Sequence, residues 1–479
     1  VSGIGRVTKC ADDSGPVIWF EVEDFLRYFD HFPNPTGSQR VPFEIFAEAA
    51  RLYGSHGQVR FCRLSVYSRR LIMIDFSVVK SAYSNPPGAS APWKAVWEPA
   101  QLLSDSARMV PIVLGNPFFF ARIAGTAIRD FVERAIRPHD FATVVQPGDI
   151  VVTLGASWGL PGYAQRIAAA KARFGVRFAV LVYDMIPIEN GDLVEQHHAL
   201  RFRQWLAEMA PTADVILTIS EYSRRALLEF AAAARWPIPR VEVIRLGGES
   251  SPQPVARRSR PSGTNPHEKM YLPGRYVLFV STIEIRKNHR LLVRVWRRLI
   301  ARHGADADAV PVLIFAGQVG WMVDDLLADL AASDWLDGKV EHRPGLSDAE
   351  LDEAYDGCLF TIFPSLCEGW GLPVAESLAH GKFCLASNRT SIPEVGGDLI
   401  DYFDPSDDDE VAAKIERLLF EPDYLAAREF RLRAEYCPGT WADCARSIVR
   451  KLQQPAEIAQ PPAGEPNERL ASAQPVGNP

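Results

Sequence analysis

At 479 residues the chain has room for two domains at roughly 100–200 residues each, which excludes a peptide-sized scaffold. Apolar residues make up 47% and charged residues 23%, the proportions of a globular protein with cores to bury, so global disorder is excluded as well. Basic residues number 52 against 59 acidic ones, a formal charge of -7, which argues against a general nucleic-acid binder and confines any anion site to a local patch.

Ten of the basic residues are Lys, leaving 42 Arg, and a planar guanidinium grips phosphate or carboxylate bidentately where an ammonium offers a point charge. The seven cysteines (Cys10, Cys62, Cys358, Cys367, Cys384, Cys437 and Cys444) are scattered, odd in number and without a C-x-x-C pair. They fit a reducing, cytoplasmic setting better than a disulfide scaffold or a zinc site. The apolar run from Pro111 to Phe120 is interrupted by Asn116 and Pro117, well short of the ~20 residues that span a bilayer. The chain opens on Val1, and its first sixteen residues carry no basic-then-apolar leader pattern, so a targeting signal stays an open question.

In chain order, residues 1–16 read as a polar extension, and the pattern then becomes strand, polar connection, helix. Val17 to Val22 is a predicted strand, Pro33 to Gln39 a loop, and Val41 to Leu52 a helix. Asp149 to Leu154 precedes a helix from Tyr163 to Phe174, and Arg177 to Tyr183 precedes one from Leu193 to Met209. Asp214 to Ile219 leads into a helix around Ser223 to Ala234. Apolar runs alternating with amphipathic helices predict parallel strands joined by crossover helices.

Gly247 to Pro273 is rich in Ser, Pro, Arg, Gly and Asn and reads as a linker or mobile loop. The alternation then restarts: strand Tyr276 to Val280, helix Asn288 to His303, strand Val310 to Ala316, helix Asp324 to Ala332. Helix Asp348 to Tyr355, strand Leu359 to Phe363, helix Pro373 to His380, strand Phe383 to Ala386 and a short strand near Ile400 follow. Pro455 to Pro479 has no usable apolar face and is expected to be disordered. The expected domains are a first lobe at 17–246 and a second at 274–454. Ligand is expected in the crevice outside the carboxyl ends of their strands.

Two segments carry chemistry. In Ser365 to Leu378, SLCEGWGLPVAESL, a buried strand ends in a glycine-bearing loop that opens a helix. With Pro373 as first helical residue, Glu376 sits in the first turn and Glu368 in the loop before it. The helix start offers unpaired N–H groups and a positive dipole end, suited to a diphosphate. Gly369 and Gly371 let the backbone approach a bulky ligand, and Glu376 is an acceptor for sugar hydroxyls. Taken alone, Glu376 would merely complement the helix dipole. Ser281 to His289, STIEIRKNH, follows a strand in the same way and sets Arg286 and Lys287 where a pyrophosphate would lie; cations at a helix start oppose its dipole, which disfavours a purely structural role.

These residues resemble the GT-B glycosyltransferases of the large retaining group called family 4, and the resemblance extends over roughly Val17 to Val449. It implies an α/β fold of two Rossmann-like, doubly wound parallel-sheet lobes facing a central cleft, the first taking the acceptor and the second the nucleotide-sugar donor. It assigns the donor sugar to Glu368, the ribose to Glu376 and the diphosphate to Arg286 and Lys287, so that Arg286, Lys287 and Glu368 are the expected catalytic set. Thr282, Gly369, Gly371 and Leu372 fall in the matching donor segments. Gly37, in the loop Pro35 to Arg40, is similar to the family's glycine loop, with an ordinary turn as the alternative.

Tyr183 and Asp184 stand where many relatives have His-Asp, and a Tyr hydroxyl can also donate a hydrogen bond. Ser220, Glu221 and Arg224 resemble the segment that closes an amino-lobe strand; Ser220 would equally serve as a plain N-cap. Ser281 replaces a usual Gly and Ile285 a common Pro. The resemblance further implies a retaining, metal-independent transfer with no cofactor beyond the donor, for which GDP-mannose is favoured over UDP-glucose and dTDP-rhamnose.

The expected acceptor is a glycan, on a polyprenyl diphosphate in one version, in polysaccharide biosynthesis, with no nucleic acid involved. A peripheral contact with the inner face of the plasma membrane would suit Arg166 to Phe174; a core-packing helix with solvated Lys171 and Arg173 is the commoner reading. A GT-B phosphorylase, a nucleotide-sugar epimerase and a non-catalytic GT-B subunit are the competing functions.

Other motifs fail. Gly3-Ile4-Gly5 lacks a third glycine and a preceding strand. Asp306-Ala307-Asp308 reads as a solvated turn, Asp407 to Asp409 as a helix start. The ten His show no ligand spacing, and His197-His198 is expected to be exposed.

Overall fold

The computed structural model describes residues 15–32, 35–65, 70–84, 141–160, 162–248, 274–304 and 309–454. The Gly3 and Asp306 motifs, the Pro111 run, nearly all of the expected linker and the carboxyl-terminal tail lie outside them.

The described chain runs β1 (Ile18–Glu21), α1 (Glu23–His31), α2 (Gly37–Ala49), β2 (Val59–Leu64), β3 (Leu71–Ile74), α3 (Phe76–Ser84), α4 (Phe141–Val144), β4 (Ile150–Thr153) and α5 (Tyr163–Phe174). Then come β5 (Arg177–Val182), α6 (Ile186–Glu189), α7 (Gln196–Met209), β6 (Val215–Thr218), α8 (Glu221–Ala234) and β7 (Arg240–Val243). A second series holds β8 (Tyr276–Val280), α9 (His289–His303), β9 (Val312–Ala316), α10 (Asp324–Ala332), β10 (Val340–Arg343), α11 (Asp348–Gly357) and β11 (Thr361–Phe363). It closes with α12 (Leu372–Ala379), β12 (Cys384–Ser387), α13 (Ile392–Gly396), β13 (Asp401–Phe403), α14 (Asp408–Phe420), α15 (Pro422–Glu435) and α16 (Trp441–Gln453).

The strands form two sheets, β3-β2-β1-β4-β5-β6-β7 and β10-β9-β8-β11-β12-β13. In the second, all five neighbouring pairs are parallel. In the first, β1 is parallel to β2 and β4, and β4 to β5, while β3 runs antiparallel on the edge. Both orders reverse once among the described strands, at β1/β4 and at β8/β11. A reversal leaves a crevice outside the carboxyl ends of the two strands, because their crossover helices leave on opposite faces.

By packing, the described residues divide into two units. One takes those up to Leu181, Thr212–Val215 and the chain from Ala445; the other takes Val182–Pro211 and Ile216–Cys444. The domain boundaries expected from sequence remain a proposal. In the first unit Trp19 is fully buried and donates its indole N–H to Asp149 Oδ2 at 3.0 Å. In the second, Phe279, Trp296, Phe315, Phe360 and Leu385 sit in one apolar core. Trp296 satisfies its indole N–H on the Pro311 carbonyl at 3.0 Å.

Several expectations are corrected. The connection after β1 is largely helix α1, and α2 begins at Gly37, so Gly37, Ser38, Gln39 and Arg40 form a first helical turn instead of a loop. The reason is a capping box: Gln39 Oε1 accepts from the Thr36 N–H at 3.2 Å and from its hydroxyl at 2.6 Å. Helix α12 starts one residue early, at Leu372 with Pro373 second, which costs nothing because first-turn N–H groups have no intrahelical acceptor. Glu376 therefore lies just beyond the first turn. Lys171 is not simply solvated: its Nζ donates to the Thr212 carbonyl at 2.7 Å and pairs with Asp214 at 2.7 Å. Asp407 does open a helix, accepting from Asp409 N and Glu410 N. Among the described residues no helix is long and apolar enough to cross a membrane.

Candidate functional site

The site is built at the β8/β11 reversal, within the second unit. After β8 the chain forms one 3-10 turn, Ile285–Lys287, and Asn288 at φ 59° then caps α9. The turn is tied across the crevice: Leu366 N donates to the Arg286 carbonyl at 2.8 Å. Arg286 thus follows one central strand and Glu368 its neighbour, and the strand order brings them together although they stand 82 positions apart.

Arg286 Nη1 donates to Glu368 Oε2 and to the Cys367 carbonyl, both at 3.0 Å, and Nε pairs with Glu284 at 2.5 Å. Lys287 Nζ donates to the other oxygen, Glu368 Oε1, at 2.5 Å and lies 5.3 Å from the centre of the Phe363 ring. Burial alone would raise the Glu368 carboxyl; Arg286 and then Lys287 outweigh it and hold it down at about 2. Burial pushes Glu284 up, against Arg286 and Lys287, and pushes Lys287 down, with Arg286 adding to it. The result is a packed set of alternating charges in which every cation has a carboxylate neighbour.

Asp184 joins the set. Its Oδ1 accepts from Ile186 N at 3.0 Å, opening α6. Burial raises its carboxyl while nearby Arg286 opposes the rise. Tyr183 reaches the same place through its backbone, whose carbonyl accepts from Ser223 Oγ at 3.0 Å. A Cβ on Gly369 would stand 3.0 Å from both Asp184 Cβ and the Tyr183 carbonyl. Gly369 is therefore small because protein packs on it, whereas Gly371 is glycine for its backbone, φ 120° at the cap of α12.

The remaining predicted residues are placed as follows. Glu376 is buried and accepts from the Tyr355 hydroxyl at 2.9 Å. Leu372 opens α12, and Thr282, just past β8, has its methyl 2.8 Å from where a Gly320 Cβ would lie. Ser220 caps α8 by accepting from Ser223 N at 3.1 Å, and Glu221 pairs with Arg224 at 2.8 Å on the exposed face of that helix. Gly37 opens α2 in the first unit. Ser281 holds His289 Nε2 at 3.3 Å in the core.

Sequence reasoning missed Glu284, which shares Arg286 with Glu368, and the pair Thr390 and Ser391. Thr390 Oγ1 accepts from Glu368 N at 2.9 Å, and Ser391 Oγ donates to the carbonyls of Glu368 at 2.8 Å and Trp370 at 3.1 Å. Glu284 lay in the quoted segment, and its place two residues before a cation pair was a signal; Thr390 and Ser391 gave none. Nor did spacing reveal that ligand atoms of Glu195, His197 and His198 come within 4.8 Å of one another, all three residues being exposed as expected for the His pair.

Two doubly wound sheets, with this charge set at the switch point of the second, define an α/β protein of the two-lobe GT-B class. Residues 267–434 match the family described as glycosyl transferases group 1. The O-antigen chain mannosyltransferase B of Escherichia coli is 29% identical over 245 residues, 51% of this chain and 61% of the relative. The serotype-specific mannosyltransferase WbdA of Escherichia coli is 26% identical over 352 residues, 72% and 42% of the two chains. The chain thus spans less than two thirds of the length of either curated relative. A crystal structure of a glycosyltransferase from Rickettsia africae ESF-5 shares the fold, with TM-score 0.51 at 14% identity over 92% of this chain and 98% of that one.

Proposed function

We propose that the chain is a retaining hexosyltransferase of polysaccharide biosynthesis that moves mannose from GDP-mannose to a glycan or polyprenyl-diphosphate-linked glycan without a metal. The observation that carries the proposal is the convergence of Arg286 and Lys287 on Glu368 at the β8/β11 reversal. A departing diphosphate brings two or more negative charges to the mouth of a switch point, and a guanidinium with an adjacent ammonium supplies the charge a divalent ion would otherwise provide. Glu368, kept ionised, is an acceptor for sugar hydroxyls, and the amide end of α12 is an electropositive partner for phosphate oxygens. Two mannosyltransferases among the relatives favour mannose. The proposed roles are Arg286 and Lys287 on the diphosphate, Glu368 on the sugar, and Glu376, Thr282, Gly369, Gly371 and Leu372 along the nucleotide. Gly37 is a further proposed donor-side position, and Tyr183, Asp184, Ser220, Glu221 and Arg224 are the proposed acceptor-side or cleft positions.

The test is GDP release from GDP-mannose by the purified chain with an alkyl α-mannoside as acceptor, and NMR of the product. Transfer with an α-linked product, unaffected by EDTA, is the expected result. A β-linked product refutes retention, loss of activity in EDTA refutes metal independence, and transfer from UDP-glucose in place of GDP-mannose refutes the donor.

A further inference from the structure

Glu394, on the short helix α13, reaches 173 positions back to the opening of α8. Its Oε2 accepts from Glu221 N at 2.8 Å and its Oε1 from Tyr222 N at 2.7 Å. First-turn amides have no intrahelical acceptor. Ser220 satisfies only the third of this set, Ser223 N, so the helix opening is held from two sides, once by its own N-cap and once by a carboxylate distant in sequence.

Each end of this clasp is tied to the candidate site. On the α13 side, the turn that leads into the helix is Thr390–Ser391, whose side chains hold the backbone of Glu368 and Trp370, and Glu394 N itself donates to the Ser391 carbonyl at 2.9 Å. On the α8 side, Ser223 Oγ holds the Tyr183 carbonyl, and the Tyr222 hydroxyl lies 3.5 Å from Glu189 at the end of α6. Tyr183 and Asp184 in turn pack on Gly369, next to Glu368. The links close a ring: Glu368, Ser391, Glu394, α8, Tyr183, Gly369. Glu394 supplies the connection whose two bonds are both charge-assisted.

We propose that Glu394 is a positioning residue: it fixes Asp184 and Tyr222 against the Glu368 loop, and so sets the sugar-binding end of the site while leaving the nucleotide-binding end alone. The proposal rests on the glycosyltransferase reading of Glu368. It separates two parts of one ligand, because Arg286 is also held by Glu284 and the Cys367 carbonyl, and Glu376 by the Tyr355 hydroxyl, through bonds that lie outside this ring.

The experiment uses the full chain carrying Glu394→Ala or Glu394→Gln, with GDP binding by calorimetry and transfer kinetics with GDP-mannose. The expected result for Glu394→Ala is a tenfold or greater fall in kcat with the Kd for GDP within twofold of wild type. Glu394→Gln, whose amide oxygen still accepts one of the two N–H groups, should recover part of the loss. Wild-type kcat in Glu394→Ala overturns the proposal, as does a parallel loss of GDP affinity and kcat that tracks a lowered Tm. If Glu394→Ala does not fold, Glu394→Gln decides: reduced kcat with GDP affinity kept supports the proposal, and unchanged kcat overturns it. A wild-type chain that binds GDP but transfers no sugar overturns the underlying reading and the proposal with it. Transfer by wild type and Glu394→Ala alike overturns the proposal alone.

Discussion

Arg286 is shared by Glu368, Glu284 and the Cys367 carbonyl, so removing it changes more than one bond. In Arg286→Ala, Lys287 is left to balance two buried carboxylates. Breaking a buried pair costs about 3–5 kcal/mol, and loss of a preorganised donor to developing charge lowers turnover by ~10²–10³. Both a lower Tm and this fall in kcat are expected, and Arg286→Lys should not restore kcat, since an ammonium cannot reproduce the fork. Glu21 predicts the opposite electrostatic behaviour. It is fully buried at the end of β1, and it accepts from the Tyr163 hydroxyl at 2.6 Å and from Leu64 N at 2.8 Å. Burial, reinforced by Asp24, pushes its carboxyl from 4.5 up to about 8, against the Tyr163 and Leu64 bonds; Glu23, itself paired with Arg63, adds to the rise.

A raised folded value means the stabilisation is complete below the unfolded value near 4.5 and is lost as pH climbs through about 8. Glu21→Gln keeps the shape and removes the titration. The Tm of Glu21→Gln relative to wild type should therefore rise steadily from pH 5 to pH 8; a pH-independent difference would contradict the assignment.

Among the elements, the end of β9 shows how closely the second sheet is packed behind the site. Gly317 has φ 155°, and a Cβ there would lie 2.0 Å from the Ser281 carbonyl, so Gly317→Ala must move the backbone that leads into the Arg286 turn. Gly338 has φ 76° and open space where a Cβ would stand. Gly338→Ala should cost only the left-handed strain of about 1–2 kcal/mol, and Gly317→Ala distinctly more, as read by urea denaturation. Central strands such as β8 and β4 were legible because burial on both faces demands continuous apolar runs. Edge strands β7 and β10 were not, and VEHR in β10 shows why: an edge strand is half solvated, so its pattern dissolves into polar residues. The apolar edge strand β3 (LIMI) and the interior β2 (VRFCRL) were missed as well, and that reason does not cover them. The early start of α2 was hidden for a different reason, since Thr36 and Gln39 spell a capping box only once the helix is known to begin between them.

For the molecule as a whole, binding of a nucleotide to the native state alone predicts a rise in stability of RT ln(1 + [L]/Kd), about 2.7 kcal/mol at a hundredfold excess over Kd. A panel of GDP, UDP and dTDP should raise Tm most with GDP, and equal shifts for all three would remove the argument for GDP-mannose. The amino-acid sequence alone determined the α/β alternation, the two strand-to-helix turns, one of them glycine-bearing, and the identity of the charged residues in them, because each is a matter of local pattern. Only the tertiary structure decided that Arg286 and Lys287 grip Glu368, that Glu284 competes for the same guanidinium, and that Glu394 caps a helix 173 positions away. Those pairings follow from which strands lie side by side at the β8/β11 reversal and from which carboxylates that order buries. Strand order is chosen by the packing of whole sheets and leaves no periodicity in the chain to be read beforehand.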